Sequence, residues 1–229
     1  MTKDGIQQIK DHVKELLNGA TAPELRIAHD FKHVDRVRGW ALRIARDEGF
    51  EDLEMVEATA LLHDVGLAHV ERRSQHGQVG AEIAAQFLRQ RQLFADEQID
   101  AIADAIRRHN SPPGDDGTLA QILRDADILD AIGAVGVMRA FTSKYAKPEY
   151  DPHDVKGETW GATMREFEAR FAMGRGIGDF IVDQVNFQVS FCDNLRTETA
   201  KRIAQPLVEF MQAFVLQLES EVKAGRYDG

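Results

Sequence analysis

The sequence predicts an all-α fold. Apolar residues recur at intervals of three and four along most of the chain, and no stretch of useful length alternates at the period of two that marks a strand. The breaks between periodic segments carry the glycines, prolines and aspartates of helix ends and loops.

Taken in order, Ile6, Ile9, Val13, Leu16 and Leu17 share one helical face, and Asn18-Gly19 closes that helix. A second helix is expected over 31–46, with Val34, Val37, Ala41, Ile44 and Ala45 inward, stopping before Gly49. A third spans 52–63. A fourth, over 76–90, carries Val79, Ile83 and Phe87 on one stripe, and a fifth, over 96–109, turns Ile99, Ile102, Ala103 and Ile106 inward. "SPPGDDG" cannot continue a helix and is read as a loop. The segment 118–141 reads as one long, mostly buried sixth helix. "SKYAKPEYDPHDVKGE" follows as an extended loop, helices resume from 159, and the glycine-rich "MGRGIGDF" is another loop. Pro206 is expected to end or kink a late helix at Gln205. These elements read as a single domain over 1–229, with a core at about 25–142 and a helical C-terminal extension at about 158–225.

A chain of 229 residues can bury a sizeable core, and 43% hydrophobic with 29% charged residues is ordinary for a soluble globular protein. The formal net charge of −10 argues against binding nucleic-acid polymers, which calls for an extended basic surface. It leaves room for a local basic pocket and a small phosphorylated ligand. Cys192 is the sole cysteine, so no internal disulfide is possible. With no signal-peptide core at the start and no apolar run of about 20 residues, a cytoplasmic protein without a membrane span is expected.

The chemistry concentrates in histidines and aspartates. The dipeptide His-Asp occurs three times, at 29–30, 63–64 and 153–154. Asp30 can cap the helix that follows it, and His153-Asp154 lies in a proline-containing loop where charge is readily solvated. Only His63-Asp64 emerges from a buried run, "ATALL". His33 shares the inward face of Val37 and Ile44, and His109 that of Ile102 and Ile106. Asp127 stands between Ala126 and Ile128 in an apolar helix. A buried carboxylate needs a partner or a metal, so Asp127 either pairs with Arg36 or Arg124 or shares an ion with the histidines. Imidazole with carboxylate suits divalent Mn, Mg, Fe, Co, Ni or Zn, whereas a single distant cysteine does not suit a thiolate zinc site.

In these residues the chain resembles the HD-domain metal-dependent phosphohydrolases. "HVDRV" with His33, "ALLHDVG" with His63-Asp64, "AIRRH" with His109 and "RDADILDAIGAVG" with Asp127 match the ordered H…HD…D landmarks. "DADILDAIGAVGVMRAF" and "NLRTETAKRIAQPLVEFMQAFVLQLESE" are most similar to bacterial standalone members associated with nucleotide pyrophosphohydrolase activity. The resemblance implies a helical bundle in which His33, His63, Asp64 and Asp127 hold a divalent ion. His76 and His109 match the extra histidines of a six-ligand variant that holds two ions. Ile128 departs from relatives that carry a basic residue there.

The expected activity is hydrolysis of a phosphoester or phosphoanhydride bond in a nucleotide or similar small substrate, with Asp64 and a water activated by the metal at its centre. Arg36, Arg72, Arg73 and Lys144 are candidate phosphate contacts, and Glu71 a candidate outer acid or base. Neighbouring side chains such as His63 and Asp64 leave a regular helix about 100° apart, so both can reach one ion only where the helix ends, at Val65-Gly66. Two alternatives are a di-iron oxygenase on the same scaffold, using His76 and His109, and a metal-holding regulatory module without turnover.

Overall fold

The computed structural model of the chain describes residues 3–19, 29–70, 72–111, 114 and 116–225, and among these it holds ten α-helices and no β-strand. They are α1 (Lys3–Gly19), α2 (Phe31–Asp47), α3 (Leu53–Leu62), α4 (His76–Arg91), α5 (Asp96–Arg108), α6 (Thr118–Asp130), α7 (Gly133–Ser143), α8 (Met164–Ala172), α9 (Ile181–Ser190) and α10 (Glu198–Ala224). Short 3₁₀ turns fill Val65–His69, Arg73–Gln75 and Phe191–Asn194. No helix among the described residues is long and apolar enough to cross a membrane. The chain divides into two compact units, Met1–Asp130 with Arg196–Ala200, and Ala131–Leu195 with Lys201–Gly229.

In the first unit α2 packs on α3 and α6, and α4 packs on α5. The apolar stripes of α2 and α5 are buried as their periodicity requires. Side-chain caps fix where two of these helices begin. Asp30 accepts the His33 N–H at the start of α2, and Asp52 accepts the Met55 N–H at the start of α3. Gln98 of α5 also donates to Asp52 while its carbonyl oxygen accepts the Ala95 N–H, so one side chain joins the starts of α3 and α5.

Helix α4 departs from the expected stripe. Its buried face is made of Gly77, Gly80, Ala81, Ala84, Ala85 and Leu88 with Phe87, while Val79 and Ile83 are half-buried. Small residues are needed because α4 lies directly against the turn that follows His63-Asp64. A Cβ on Gly66 would stand 2.1 Å from the His76 carbonyl oxygen and 2.6 Å from the Gly80 nitrogen. Backbone meets backbone here, and that contact brings His76 up to Asp64.

Two other expectations change. The helix foreseen over 118–141 is broken into α6 and α7, because Gly133 adopts φ +69°, a left-handed conformation that favours glycine. Helix α10 runs through Pro206 and does not end at Gln205. Of the loop expected at 111–117, the described residues 111, 114, 116 and 117 fall outside helices; 112, 113 and 115 lie outside the described residues. The loop at 173–180 also falls outside helices, with Gly174, Gly176 and Gly178 all at positive φ.

The start of α10 is tied to the first unit by carboxylates. Asp125 of α6 accepts the backbone N–H groups of Arg196 and Thr197 and the Thr197 hydroxyl, and Glu48 accepts the Thr199 N–H. In the second unit the fully buried Phe167 of α8 meets Phe187 of α9 edge-on, and buried Asp183 accepts the Thr159 hydroxyl and the Phe180 N–H.

Arg124 and Asp116 form a buried ion pair in the first unit, with Asp116 also accepting the Gly114 N–H and Arg124 donating to the Arg108 carbonyl. Burial pushes the Asp116 carboxyl up, but Arg124 and the Gly114 N–H outweigh it and hold the group below its ordinary value. A depressed carboxyl contributes stability that is present above its unfolded pKa of about 4 and is lost as pH falls through the folded value. Asp116→Ala is therefore expected to cost about 3 kcal/mol near neutral pH by stranding Arg124. The deficit against wild type should shrink below about pH 4 in urea titrations run across pH. Gly66→Ala should also cost about 3 kcal/mol, through overpacking against backbone that cannot yield. Gly39→Ala, in exposed α2 with nothing within 4 Å of the new methyl, should instead stabilise by about 0.5–1 kcal/mol.

Candidate metal centre

Five helices of the first unit deliver polar side chains to one point. His33 comes from the first turn of α2. His63 is the residue at which α3 ends, and Asp64 follows with φ −101° and ψ 5°, outside the helical region. The helix therefore ends at the dipeptide itself, directly before Val65-Gly66, and the two side chains are freed to turn the same way. His76 opens α4, His109 terminates α5, and Asp127 lies near the end of α6. His33, His63, Asp64 and His109 are buried.

The imidazoles are held in a definite orientation. His33 Nδ1 lies 2.7 Å from the buried Asp130 carboxylate, His63 Nδ1 lies 2.8 Å from the Ala60 carbonyl oxygen, and His109 Nδ1 lies 2.6 Å from the Ile106 carbonyl oxygen. Each acceptor demands a proton on Nδ1, which leaves the Nε2 lone pair of all three rings facing inward. A metal-ligating histidine is oriented in this manner, with its remote nitrogen donating to a carboxylate or carbonyl.

Distances separate the ligands from their supports. Atoms bound about 2.1 Å from one shared ion stand roughly 3.0–3.4 Å apart, from the usual hydrogen-bond length to somewhat beyond it. His33 Nε2 is 3.3 Å from His63 Nε2, 3.4 Å from Asp64 Oδ2 and 3.5 Å from Asp127 Oδ1. His63 Nε2 is 3.4 Å from Asp64 Oδ2. The other oxygen of Asp64 faces a second pair, at 3.4 Å from His76 Nε2 and 3.8 Å from His109 Nε2. Thus three groups could hold an ion: His29, His33 and Asp64; His33, His63 and Asp127; and Asp64, His76 and His109. Asp64 turns Oδ2 toward His33 and His63 and Oδ1 toward His76 and His109.

His29 behaves differently. Its Nδ1 lies 2.7 Å from Asp64 Oδ2, a hydrogen-bond distance, and its ring stands edge-on to His33. The sequence reading gave this His-Asp copy only a capping role. Asp30 does cap, but His29 reaches the centre. A polar residue ahead of a helix has no periodicity to betray it. Asp130 was missed for a related reason. It is the last of three aspartates in "RDADILD", and only the fold shows it turned onto His33 and Arg36.

The electrostatics invite a cation. Burial alone would lower the His63 pKa, yet the Asp64 and Asp127 carboxylates beside it push it up to about 9. Burial would raise Asp64, yet His63 and His29 hold it well below the ordinary carboxylate range. The two carboxylates thus favour positive charge at this point.

Asp127 is less buried than expected. Its side chain is 37% exposed, against 4% or less for His33, His63 and Asp64. Neither proposed arginine partner reaches it: Arg36 is held by Asp130, and Arg124 by Asp116. Arg36 therefore supports the His33 acceptor. Arg72 is exposed and lines a surface recess of about 420 Å³ with His69, Gln75 and Gln78. Glu71 and the Arg73 side chain lie outside the described residues. Lys144 follows α7 in the second unit.

Residues 30–132 match the family model described as "HD domain". The YpgQ protein of Bacillus subtilis is 30% identical over 94% of this chain and 93% of its own length. Its crystal structure in complex with ADP aligns with a TM-score of 0.61 at 27% identity, covering 95% of both chains. A Lactobacillus plantarum protein aligns with a TM-score of 0.68 at 26% identity, over 97% of this chain and 99% of the other. A predicted HD superfamily hydrolase from an uncultured Thermotogales bacterium aligns with a TM-score of 0.62 at 27% identity, over 94% and 91%. The match spans the helices that build the centre as well as those that follow it, and the chain belongs to the HD-domain superfamily.

Proposed function

We propose that the protein is a metal-dependent phosphohydrolase acting on a nucleotide or a similarly small phosphorylated substrate. The carrying observation is the convergence of two oriented imidazole nitrogens, from His33 and His63, and two carboxylates, from Asp64 and Asp127, at ligand-to-ligand spacing around one point. The donor set fits a divalent ion held by His33, His63, Asp64 and Asp127, and a second held by Asp64, His76 and His109. A divalent cation so placed supplies Lewis-acid activation of a water and of a phosphoryl oxygen near neutral pH.

The chain's own residues do the rest. Asp64 places one oxygen toward each group and orients a nucleophilic water between them. His29 donates to Asp64 and fixes the rotation of that carboxylate. Asp130, clamped by Arg36, keeps His33 in the tautomer that faces inward. Half-exposed Asp127 marks the side from which substrate enters, and Arg72 is the assigned phosphate contact. The ADP complex of the related B. subtilis protein supports a nucleotide as the ligand class.

Phosphate release from a panel of nucleotides and generic phosphoesters, measured with Mn, Mg, Fe, Co, Ni and Zn in turn, tests this reading. Asp64→Ala should lower metal-dependent turnover roughly 10³-fold, about 4 kcal/mol of transition-state stabilisation, while far-UV circular dichroism stays near wild type. Undiminished release by that variant would refute the assignment. Six such side chains are also a donor set for paired iron, so the assay is repeated under argon. Release that persists without oxygen opposes an oxygenase.

His29→Ala should keep the wild-type number of bound ions but weaken their affinity about 10- to 100-fold, as expected for a residue that orients a ligand. Loss of one full ion in titrations would make His29 a ligand instead.

A further inference from the structure

We propose that the second unit carries a binding site for a small alkylamine in its ammonium form, of the diamine or polyamine class, in the cavity that α9 and α10 share with the segment 160–163. The cavity measures about 320 Å³, and its whole wall belongs to the second unit. Small-ligand sites usually enclose about 300–1,000 Å³. Two helix faces build most of it. Val189 and Ser190 stand three and four residues beyond Asn186 along α9, and Gln212 stands four beyond Val208 on α10. Asp193, three beyond Ser190 in the 3₁₀ turn Phe191–Asn194, adds a carboxylate to the same wall.

The buried polar groups of this wall have spent their hydrogens within the protein. Thr159 donates its hydroxyl to Asp183, so Thr159 Oγ1 meets Asn186 Nδ2 as an acceptor at 3.4 Å. The Lys156 carbonyl oxygen accepts from the same Nδ2 at 2.8 Å. These two acceptors fix the rotation of the Asn186 amide and leave Oδ1 as the group it has to offer. Asn186 is only 4% exposed, and among the described residues no donor reaches that oxygen. Ser190, 3% exposed, donates its hydroxyl to the Phe187 carbonyl and keeps only acceptor lone pairs. Asp193 accepts the Met164 N–H on Oδ2, which leaves Oδ1. A buried acceptor without a donor is costly, so this wall calls for a ligand that brings donors.

Charge selects the same ligand. Asp193 is the single charged residue lining the cavity. Burial pushes the Cys192 thiol up to about 12, so Cys192 lines the wall as a neutral group. A phosphate or carboxylate would bring acceptors to acceptors and a like charge to Asp193. A primary ammonium carries three donors and no acceptor, one donor each for Asn186 Oδ1, Ser190 Oγ and Asp193 Oδ1. Trp160, Ala162, Val189 and Val208 offer apolar surface to its methylene stem. Lys156 already stands over the Trp160 ring, 5.8 Å from the centroid, so Trp160 serves the ligand as apolar wall.

The experiment uses full-length Trp40→Phe protein, in which Trp160 is the only tryptophan, with and without Mn²⁺. Wild type is titrated in parallel by calorimetry. The probes are 1,4-diaminobutane and spermidine, against 1-butanol, butyrate and adenosine. Both amines should bind saturably at one per chain and change Trp160 fluorescence, and the other three should leave it unchanged. Asp193→Asn keeps an acceptor for the Met164 N–H and removes only the charge, and Ser190→Ala removes one acceptor from within a helix. Each should weaken amine binding about 10-fold while circular dichroism stays near wild type.

An equal response to 1-butanol would show a merely apolar hole, and an equal response to adenosine a site for neutral donors; either overturns the proposal. So does the lack of saturable amine binding in wild type, or amine binding that neither variant weakens. Binding lost in Asp64→Ala but kept in Asp193→Asn would place the amine at the metal centre and overturn the proposal as well. The cavity shares no residue with that centre, so each of these outcomes leaves the phosphohydrolase reading to its own test.

Discussion

The inward turn of the imidazole lone pairs is the constraint on which the first unit is built. His33, His63 and His109 each spend Nδ1 on an acceptor within their own surroundings and aim Nε2 at Asp64 or its neighbours. Nothing in an apolar core repays that arrangement by itself, since unpaired polar groups are costly to bury. The carboxylates of Asp64 and Asp127 beside His63 favour positive charge at this point. A divalent ion satisfies the same groups, so metal binding and proton release are coupled. Each of α2 to α6 contributes a side chain to this point.

Two close backbone approaches make that shell possible. Gly66 and Gly80 let α4 rest against the turn after Asp64, which brings His76 within 3.4 Å of the carboxylate. On α6, three aspartates serve three directions. At about 100° per residue, Asp127 and Asp130 point roughly 60° apart, one to the rim of the centre and one beneath His33. Asp125 points away from both and caps the chain at Arg196 and Thr197. The helix that closes the metal centre is thus also the helix that recruits residues 196–200 into the first unit.

The helices of this unit were legible because their amphipathic stripes are long and regular, and His63-Asp64 stood out because two polar groups end an apolar run. What stayed hidden has local physical causes. Gly133 sits within an apolar stretch, so hydrophobic pattern alone could not place the break that its left-handed backbone creates. The small-residue face of α4 was mistaken for the weaker side because burial there comes from close approach, not from side-chain volume. His29 and Asp130 act through rings and carboxylates that the fold brings from 35 and 97 residues away, a distance that no periodicity spans. Pro206 stays inside α10, where a proline costs one hydrogen bond but twenty-seven residues of helix outlast it.

The uneven burial of the ligands bears on what the centre is for. A structural metal site closes its coordination with protein atoms, whereas a catalytic one keeps a position open. Here His33, His63 and Asp64 are sealed from solvent, and Asp127 is not. The closed side fixes the geometry in low dielectric, where charges act strongly on one another. The open side leaves a face at which solvent can meet the same groups. Ile128, beside Asp127 and itself only half-buried, brings no charge to that rim.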